Sequence, residues 1–487
     1  MPDIVIGLIG VGVLFFLLLI RTPVGIAMTA VGLIGVGILN NWQAAYGTLI
    51  RETIVLSSFY ELSVIPLFVL MGNIASVSGM SRDLYDAAYS WVGGLRGGLA
   101  SATIVGCAGF AALSGSSVAS AVTMGRVSLP EMERYKYDSG LATGSVAAGG
   151  TLGILIPPST GFVIYAVLTE ESIGRLFVAG ILPGILLTIL FVGTITLLTT
   201  LKPSLAEIKK EKAETGPYMA PWRIKWFLIE GVIGAAVIAY TFAKAPFLWW
   251  LPVGALALFW STLAISTKLK FEALLKAFPI IGIIVLTMGG IYFGWFTPVE
   301  AAGVGAFLAG LVALWRKSLT KESTTNVLLQ TMRVTALSFL ILIGAHIFSP
   351  FLALSQLPDY ISSFLLGLDI GRYGVLLIIL GLYIVLGTFL EGFAMLVLTL
   401  PIVFPLILEL GFDPIWFGVV VVITLEMGLI SPPVGVNVFV VKSIAEHVPM
   451  SKIFWGILPF WFAMLLCVII LVLFPQIALF LPNTMFN

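Results

Sequence analysis

"GTLGILIPPSTGFVIY", residues 150–165, has the apolar character of a membrane segment, yet three glycines and a double proline interrupt it where an unbroken helix would be expected. "EMGLISPPVGVNVFVV", residues 426–441, repeats the interruption in the other half of the chain. In hydrocarbon an unpaired N–H or C=O costs several kcal/mol, so non-helical backbone persists only when buried in protein or lining a polar cavity. Pro157 and Pro158 remove two donors and exclude a continuous helix, while Gly150 and Gly153 permit close backbone approach. The carbonyls so freed can coordinate a cation, and the N-terminal ends of the half-helices can face an anion.

The rest of the chain places these breaks in a bilayer. Of 487 residues, 59% are hydrophobic and only 10% charged, with a mean hydropathy of +1.11. A water-soluble globule usually carries about 25% charged residues. The run from Ile453 to the C-terminus and the run Leu176–Leu201 contain no Asp, Glu, Lys or Arg, and each exceeds the roughly 20 residues a helix needs to cross. About 13 to 15 such stretches are expected, some of them half-spans. The N-terminus, "MPDIVIGLIGVGVLFFLLLIRTP", shows no basic n-region and no small-residue cleavage site, so a retained first span is expected.

Several function classes drop out. A net charge of +1 argues for neither nucleic acid nor an acidic partner. Cys107 and Cys467 are far apart in sequence, and His346 and His447 are the only histidines, so no disulfide framework or transition-metal site is supported. There is no H-E-x-x-H and no G-x-x-x-x-G-K-[ST], which argues against an intramembrane zinc enzyme and against ATP-driven transport. An ion channel is harder to set aside, because broken half-helices also line pores.

The stretch Lys202–Lys225 carries six Lys or Arg and reads as a cytoplasmic loop. Two further apolar runs, 226–243 and 246–266, return the chain to the same side at Lys268, Lys270 and Lys276. The two halves also align beyond the prolines. "GILP" at 180–183 falls near "GILP" at 456–459, and "GFAALSGSSVASAVTMG" (109–125) occupies the place of "GTFLEGFAMLVLTLP" (387–401). Each unit is a small-residue re-entrant segment followed by a glycine-proline break inside a span. Paired interrupted segments are the sequence pointer to a transporter binding site at the midplane.

"SGSSVASA", "ATGSVAAGGTLGILIPPS", "FTPVEAAGVGA", "LGTFLEGFAMLVLTLPIVFP" and "GLISPPVGVN" together resemble the large membrane subunit of the tripartite ATP-independent periplasmic (TRAP) transporters. The match runs from the first span to the last, and the insertion from about Lys202 to Ser266 departs from it. The resemblance implies an all-α polytopic membrane protein of the bacterial inner membrane. It would be an inverted-repeat, elevator-type transporter with two re-entrant hairpins and two broken helices. It further implies sodium-coupled import of an organic acid delivered by a periplasmic receptor, and a separate small membrane subunit of four spans. A receptor-independent sodium/carboxylate symporter is the alternative within transporters. The expected division is scaffold helices at 1–95, a first repeat unit at 96–185, loop and extra spans at 186–277, scaffold at 278–370, a second repeat unit at 371–460, and a C-terminal span at 461–487.

For sodium, the first unit offers Ser114, Gly115, Ser116 and Ser117 at the hairpin tip, with Gly149, Gly150, Thr151, Gly153 and Pro157 as partner loop. Hydroxyl and carbonyl oxygens suit a hard cation; the competing reading is small-residue helix packing. The second unit offers Gly387, Glu391, Gly392, Thr399, Gly428 and Pro432. Glu391, alone in charge between Arg372 and Glu409, is either a coupling carboxylate or an interface residue at the hairpin mouth. Ser159, Thr160, Val434, Gly435 and Asn437 flank the breaks and are assigned to substrate, Asn437 being equally suited to a helix-helix hydrogen bond. Arg126, Arg134, Arg175 and Lys442 are cations near the units, but interface anchoring explains them as well, so the half-helix termini are expected to neutralise the substrate. Thr297, Pro298 and Glu300 read as a helix start, and so do Glu131 and Asp138 as loop and helix-start residues.

Overall fold

The computed structural model describes residues 2–206, 268–368 and 370–485; most of the insertion, including its two expected extra spans, lies outside them. Among the described residues the regular structure is helical, and eight helices are long and apolar enough to cross a membrane. The chain is therefore an all-α polytopic membrane protein. Five further apolar helices of 10–17 residues accompany the eight.

The chain opens with α1 (Asp3–Leu19), α2 (Val24–Leu39), α3 (Trp42–Ser57), α4 (Val64–Val77) and α5 (Met80–Val92). The first repeat unit follows. Helices α6 (Gly98–Ser114) and α7 (Ser117–Arg134) form a hairpin, α8 (Ser139–Leu155) and α9 (Thr160–Thr169) are the halves of a broken helix, and α10 (Ile173–Leu201) closes the unit. After the insertion come α11 (Lys268–Tyr292), α12 (Pro298–Trp315), α13 (Lys321–Leu354) and α14 (Leu357–Leu366). The second unit then repeats the first: hairpin α15 (Gly371–Gly387) and α16 (Gly392–Glu409), broken helix α17 (Pro414–Leu429) and α18 (Val436–Ile444), and α19 (Met450–Leu473). A short α20 (Gln476–Thr484) follows α19.

Local chemistry explains where these helices start. Asp138 caps α8 by accepting the N–H groups of Gly140 and Leu141, and Asp413 caps α17 by accepting that of Trp416, each satisfying donors that a helix N-terminus leaves free. At α12 the expectation for Thr297, Pro298 and Glu300 is met in full. The Thr297 hydroxyl accepts the Glu300 N–H, the Glu300 carboxylate accepts the Thr297 N–H, and Pro298 stands at the first helical position.

Glycine sets how closely the helices approach. Residues 140–155 of α8 are all buried, as expected for a helix without a polar face. A Cβ on Gly456 of α19 would lie 2.0 Å from the Gly140 carbonyl oxygen, and one on Gly144 would lie 2.4 Å from that of Gly456. Backbone thus rests on backbone between the two repeat units. The same device joins α2 to α13, where a Cβ on Gly344 would meet the Gly25 carbonyl oxygen at 2.5 Å.

The two broken helices run antiparallel. The start of α8 lies beside the start of α19, which follows the end of α18, and Lys452 there pairs with Asp138 at 3.0 Å. At the opposite end, the Tyr165 hydroxyl of α9 donates to the Pro414 carbonyl at the start of α17, 2.7 Å away. Each half-helix that follows a break packs on the hairpin of the other unit: α9 on α16, with Tyr165 edge-on to Phe404, and α18 on α7.

Candidate functional site

The first hairpin closes on the break of its own unit. Gly115 leaves α6 with a φ of +60°, a conformation that favours glycine. Its carbonyl accepts the Thr160 hydroxyl at 2.8 Å and the Thr160 N–H at 3.4 Å. Ser116 begins α7 as its N-cap, accepting the Ala119 N–H, and Ser159 does the same for α9 by accepting that of Phe162. Ser114 is buried, with its hydroxyl 2.8 Å from that of Ser120. A Cβ on Gly153 would stand 2.4 Å from the Ser116 carbonyl oxygen, and one on Gly150 3.1 Å from that of Ser117. Pro157 and Pro158, joined by a cis peptide bond, are both buried behind this tip.

The structure therefore brings Ser114, Gly115, Ser116, Ser117, Gly150, Gly153, Ser159 and Thr160 together around one break. Two others of the first-unit set are placed differently. Gly149 faces α6, where a Cβ would lie 2.7 Å from the Cys107 sulfur, which is helix packing. Thr151 donates its hydroxyl to the Ala148 carbonyl of its own helix at 2.6 Å, so only its oxygen lone pairs are free to act.

The second unit has the same plan with a more open break. Gly387 and Gly428 meet directly, a Cβ on Gly428 lying 2.6 Å from the Gly387 Cα, and Gly392 packs on Leu425. Pro432 and Pro433 also share a cis bond but are exposed, unlike their first-unit counterparts. Val434 is half-buried and Gly435 starts α18 at a φ of +62°. Glu391 occupies the N-cap position of α16 without a side-chain capping bond and is exposed at the hairpin turn. Thr399, two turns further along α16, donates to the Met395 carbonyl and lies 2.6 Å from the Tyr383 hydroxyl of α15. It ties the hairpin arms together away from the tip.

Of the four cations, Arg134, Arg175 and Lys442 sit at helix ends and Arg126 lies midway along α7. The Lys442 ammonium donates to the carbonyls of Glu446 and Val448, closing the C-terminus of α18. Arg134 lies over the Tyr135 ring, and Arg126 is exposed on α7. Outside the membrane segments, burial pushes the Asp138 carboxyl up, but the Lys452 hydrogen bond, the N–H groups of Leu141 and Gly140 and the Lys452 charge carry it below its ordinary value.

One residue escaped the sequence reading. Glu426 of α17 is 1% exposed and receives the Asn437 amide at 3.5 Å, and the Ser117 hydroxyl of the first hairpin lies near the same carboxyl. The three residues link the tip of one unit to the half-helix of the other. The signal was present: Glu426 is the single charged side chain between Asp413 and Lys442, and a carboxyl at that depth marks function by default.

Comparison with known proteins follows the same architecture. The family model described as "Tripartite ATP-independent periplasmic transporter, DctM component" matches residues 11–477. The chain is 33% identical over 428 residues to the C4-dicarboxylate TRAP transporter large permease protein DctM of Pseudomonas aeruginosa, covering 88% of this chain and 87% of that one. It is 29% identical over 422 residues to the isethionate TRAP transporter permease protein DctMQ of Oleidesulfovibrio alaskensis, covering 86% of this chain and 58% of that longer one. Among solved structures, the Alcanivorax borkumensis YdaH transporter overlays with a TM-score of 0.48 at 14% identity, over 91% of this chain and 88% of that one, a likeness too distant to bear on function.

Proposed function

The chain belongs to the DctM component family of the tripartite ATP-independent periplasmic transporters, and from that premise we propose that it imports an organic acid across the bacterial inner membrane. A soluble periplasmic receptor hands over the acid, and an inward sodium gradient drives the step. The observation that carries this reading is the interlocked pair of breaks. Two antiparallel broken helices, each packed on the other unit's hairpin, set non-helical backbone and helix N-termini against protein, the arrangement that supports a transport site.

The donor chemistry divides accordingly. Sodium takes oxygens from the hairpin tips and the breaks: Ser114 to Ser117 with Gly150, Thr151, Gly153 and Pro157 in one unit, and Gly387, Glu391, Gly392, Gly428 and Pro432 in the other. Gly149, against Cys107 of α6, and Thr399, bonded to Tyr383, belong with these two sets and hold them in place. The acid lies against the N-termini of α9 and α18, bounded by Ser159, Thr160, Val434, Gly435 and Asn437, where helix dipoles favour an anion. The two units move as one body against the remaining helices, exchanging access between the membrane faces. A small membrane subunit of four spans completes the assembly, and the greater length of the isethionate relative accords with such a unit being joined to the large one elsewhere. The relatives named for C4-dicarboxylates and for isethionate both concern small organic anions, so the class of solute is carried over and the individual acid is not.

The test is uptake by proteoliposomes holding this chain and its small subunit, with receptor and labelled acids supplied outside. Concentrative uptake that needs both the receptor and an inward sodium gradient supports the reading. Uptake without receptor assigns a self-sufficient symporter instead, and flux that only equilibrates assigns a channel.

A further inference from the structure

The second break is held from outside its own hairpin. In the first unit the hairpin tip is fastened to the half-helix by the bond from the Thr160 hydroxyl to the Gly115 carbonyl. With the proline pairs superposed, Gly435 stands where Thr160 does, so that bond has no counterpart. Glu391 at the second tip makes no side-chain capping bond, and Pro432 and Pro433 are exposed.

What reaches the second break is α19. Phe454 and Trp461 lie about two turns apart and so share a face of that helix. Phe454 packs at the start of α18, where a Cβ on Gly435 would lie 3.3 Å from Phe454 Cε1. Trp461 meets the end of α17, its indole Nε1 donating to the Ser431 hydroxyl at 2.9 Å. That hydroxyl in turn donates to the Met427 carbonyl at 2.6 Å, and the Ser431 N–H donates to the Gly428 carbonyl at 2.9 Å. Ser431 is 6% exposed and directly precedes Pro432. Its hydroxyl accepts one bond and donates another, and chained bonds of this kind strengthen one another in a low-dielectric interior.

The other side of α19 rests on the first unit through the Gly140–Gly456 backbone contact. One helix thus leans on α8 and grips the backbone on both sides of the second break. The first unit is built differently at the corresponding place. Ile156 precedes its prolines and, with the GILP segments superposed, Ile185 stands where Trp461 does. Neither side chain can hydrogen-bond, and Ile156 instead covers Gly184, where a Cβ would lie 2.5 Å from Ile156 Cγ1.

We propose that Trp461 is a positioning residue for the second break. Through the Ser431 hydroxyl it sets where the chain leaves α17, and with that the placing of Gly428 and Pro432. That these two residues face sodium rests on the function proposed above; the grip of Trp461 on Ser431 does not. In this role Trp461 touches neither ion nor solute, so it governs how tightly the ion is held rather than how fast the loaded protein turns over.

Two measurements on the full chain with its small subunit test this. Trp461→Phe keeps an aromatic ring and removes the N–H donor. In sodium-driven uptake by proteoliposomes it should raise the half-maximal sodium concentration about three- to tenfold, the loss of one hydrogen bond, and leave the maximal rate near that of wild type. Ser431→Ala should do the same, and the double variant should be no worse than Ser431→Ala alone, because the indole acts through the hydroxyl. An unchanged sodium dependence in Trp461→Phe, or effects of the two substitutions that multiply, overturns the proposal. Hydrogen–deuterium exchange in lipid nanodiscs needs neither sodium nor solute. Amides of residues 428–436 should exchange faster in Trp461→Phe than in wild type, and those of 153–163 at the same rate. If wild-type uptake ignores sodium, the functional reading fails by itself and exchange alone decides the grip: a change confined to the second break supports it, and no change, or one spread over both breaks, overturns it. If Trp461→Phe does not assemble, Ser431→Ala and Ser431→Thr take its place. Threonine like wild type with alanine shifted supports the proposal, and equal behaviour of the two overturns it.

Discussion

The Gly115 carbonyl accepts the Thr160 hydroxyl at 2.8 Å, so the first hairpin is fastened to the half-helix beyond the break of its own unit. Thr160→Val leaves that buried carbonyl with the longer backbone contact alone, at a cost of about 1–3 kcal/mol. Because about 1.4 kcal/mol is a factor of ten, the sodium concentration for half-maximal uptake should rise about tenfold or more. Thr160→Ser, which keeps the donor, should restore it. An unchanged sodium dependence in the valine variant would show that the latch plays no part in ion binding.

The two hydroxyls facing the proposed sodium site differ in what they already bond. Ser117→Ala removes a group that lies near Glu426 in the other unit. Thr151→Val removes one whose proton is committed to Ala148. Both should weaken sodium activation in reconstituted vesicles, Ser117→Ala the more strongly. Sodium activation identical to wild type in both would exclude them from the site.

Backbone contact between the hairpin tip and α8 predicts a sharp contrast between glycines. Gly153→Ala places a Cβ 2.4 Å from the Ser116 carbonyl oxygen, and such overpacking typically costs about 1–3 kcal/mol. Gly303→Ala, where a Cβ would meet nothing within 4 Å, should stay within about 0.5 kcal/mol of wild type. Thermal unfolding in detergent compares the two, and equal midpoints would mean the tip does not sit against α8.

The Asp138–Lys452 pair joins the two units outside the membrane segments, and it fixes the sign of an acid effect. The folded carboxyl lies below its ordinary value, so its stabilisation is complete above the unfolded value of roughly 3.9. It is lost as pH falls through the folded one. Asp138→Asn retains a capping oxygen but not the charge, so its stability at neutral pH should be lower and its decline on acidification shallower. Parallel pH profiles for the two proteins would show that the pair contributes nothing.

How much of this was legible follows from where each signal resides. Proline pairs and glycine spacing are local, so both breaks, the hairpins that precede them and the Thr297–Glu300 helix start could be read directly. Asp138 was legible as a helix-start residue for the same reason. Contacts supplied by distant chain were not. Thr160 looks like any residue after a double proline until Gly115 arrives 45 positions away. Gly149 has the same small-residue setting as Gly150, yet the two face opposite neighbours, Cys107 on α6 and Ala121 on α7. Glu426 carries a local signal as the single charge between Asp413 and Lys442, but its neighbour Ser117 belongs to the other half, whereas Glu391, equally isolated in sequence, is exposed in the fold.

In the proposed mechanism the two repeat units travel together against the rest of the protein. Cysteines at Gly125 and Ile444, where a Cβ on the glycine would lie 3.3 Å from Ile444 Cδ1, bridge the units. Cysteines at Phe68 and Phe177, whose rings are 5.7 Å apart, bridge α4 to the first unit. After reaction with a short bifunctional thiol reagent, sodium-driven uptake should survive in the first pair and stop in the second. Uptake abolished by the bridge between units, or unaffected by the bridge to α4, would contradict the account.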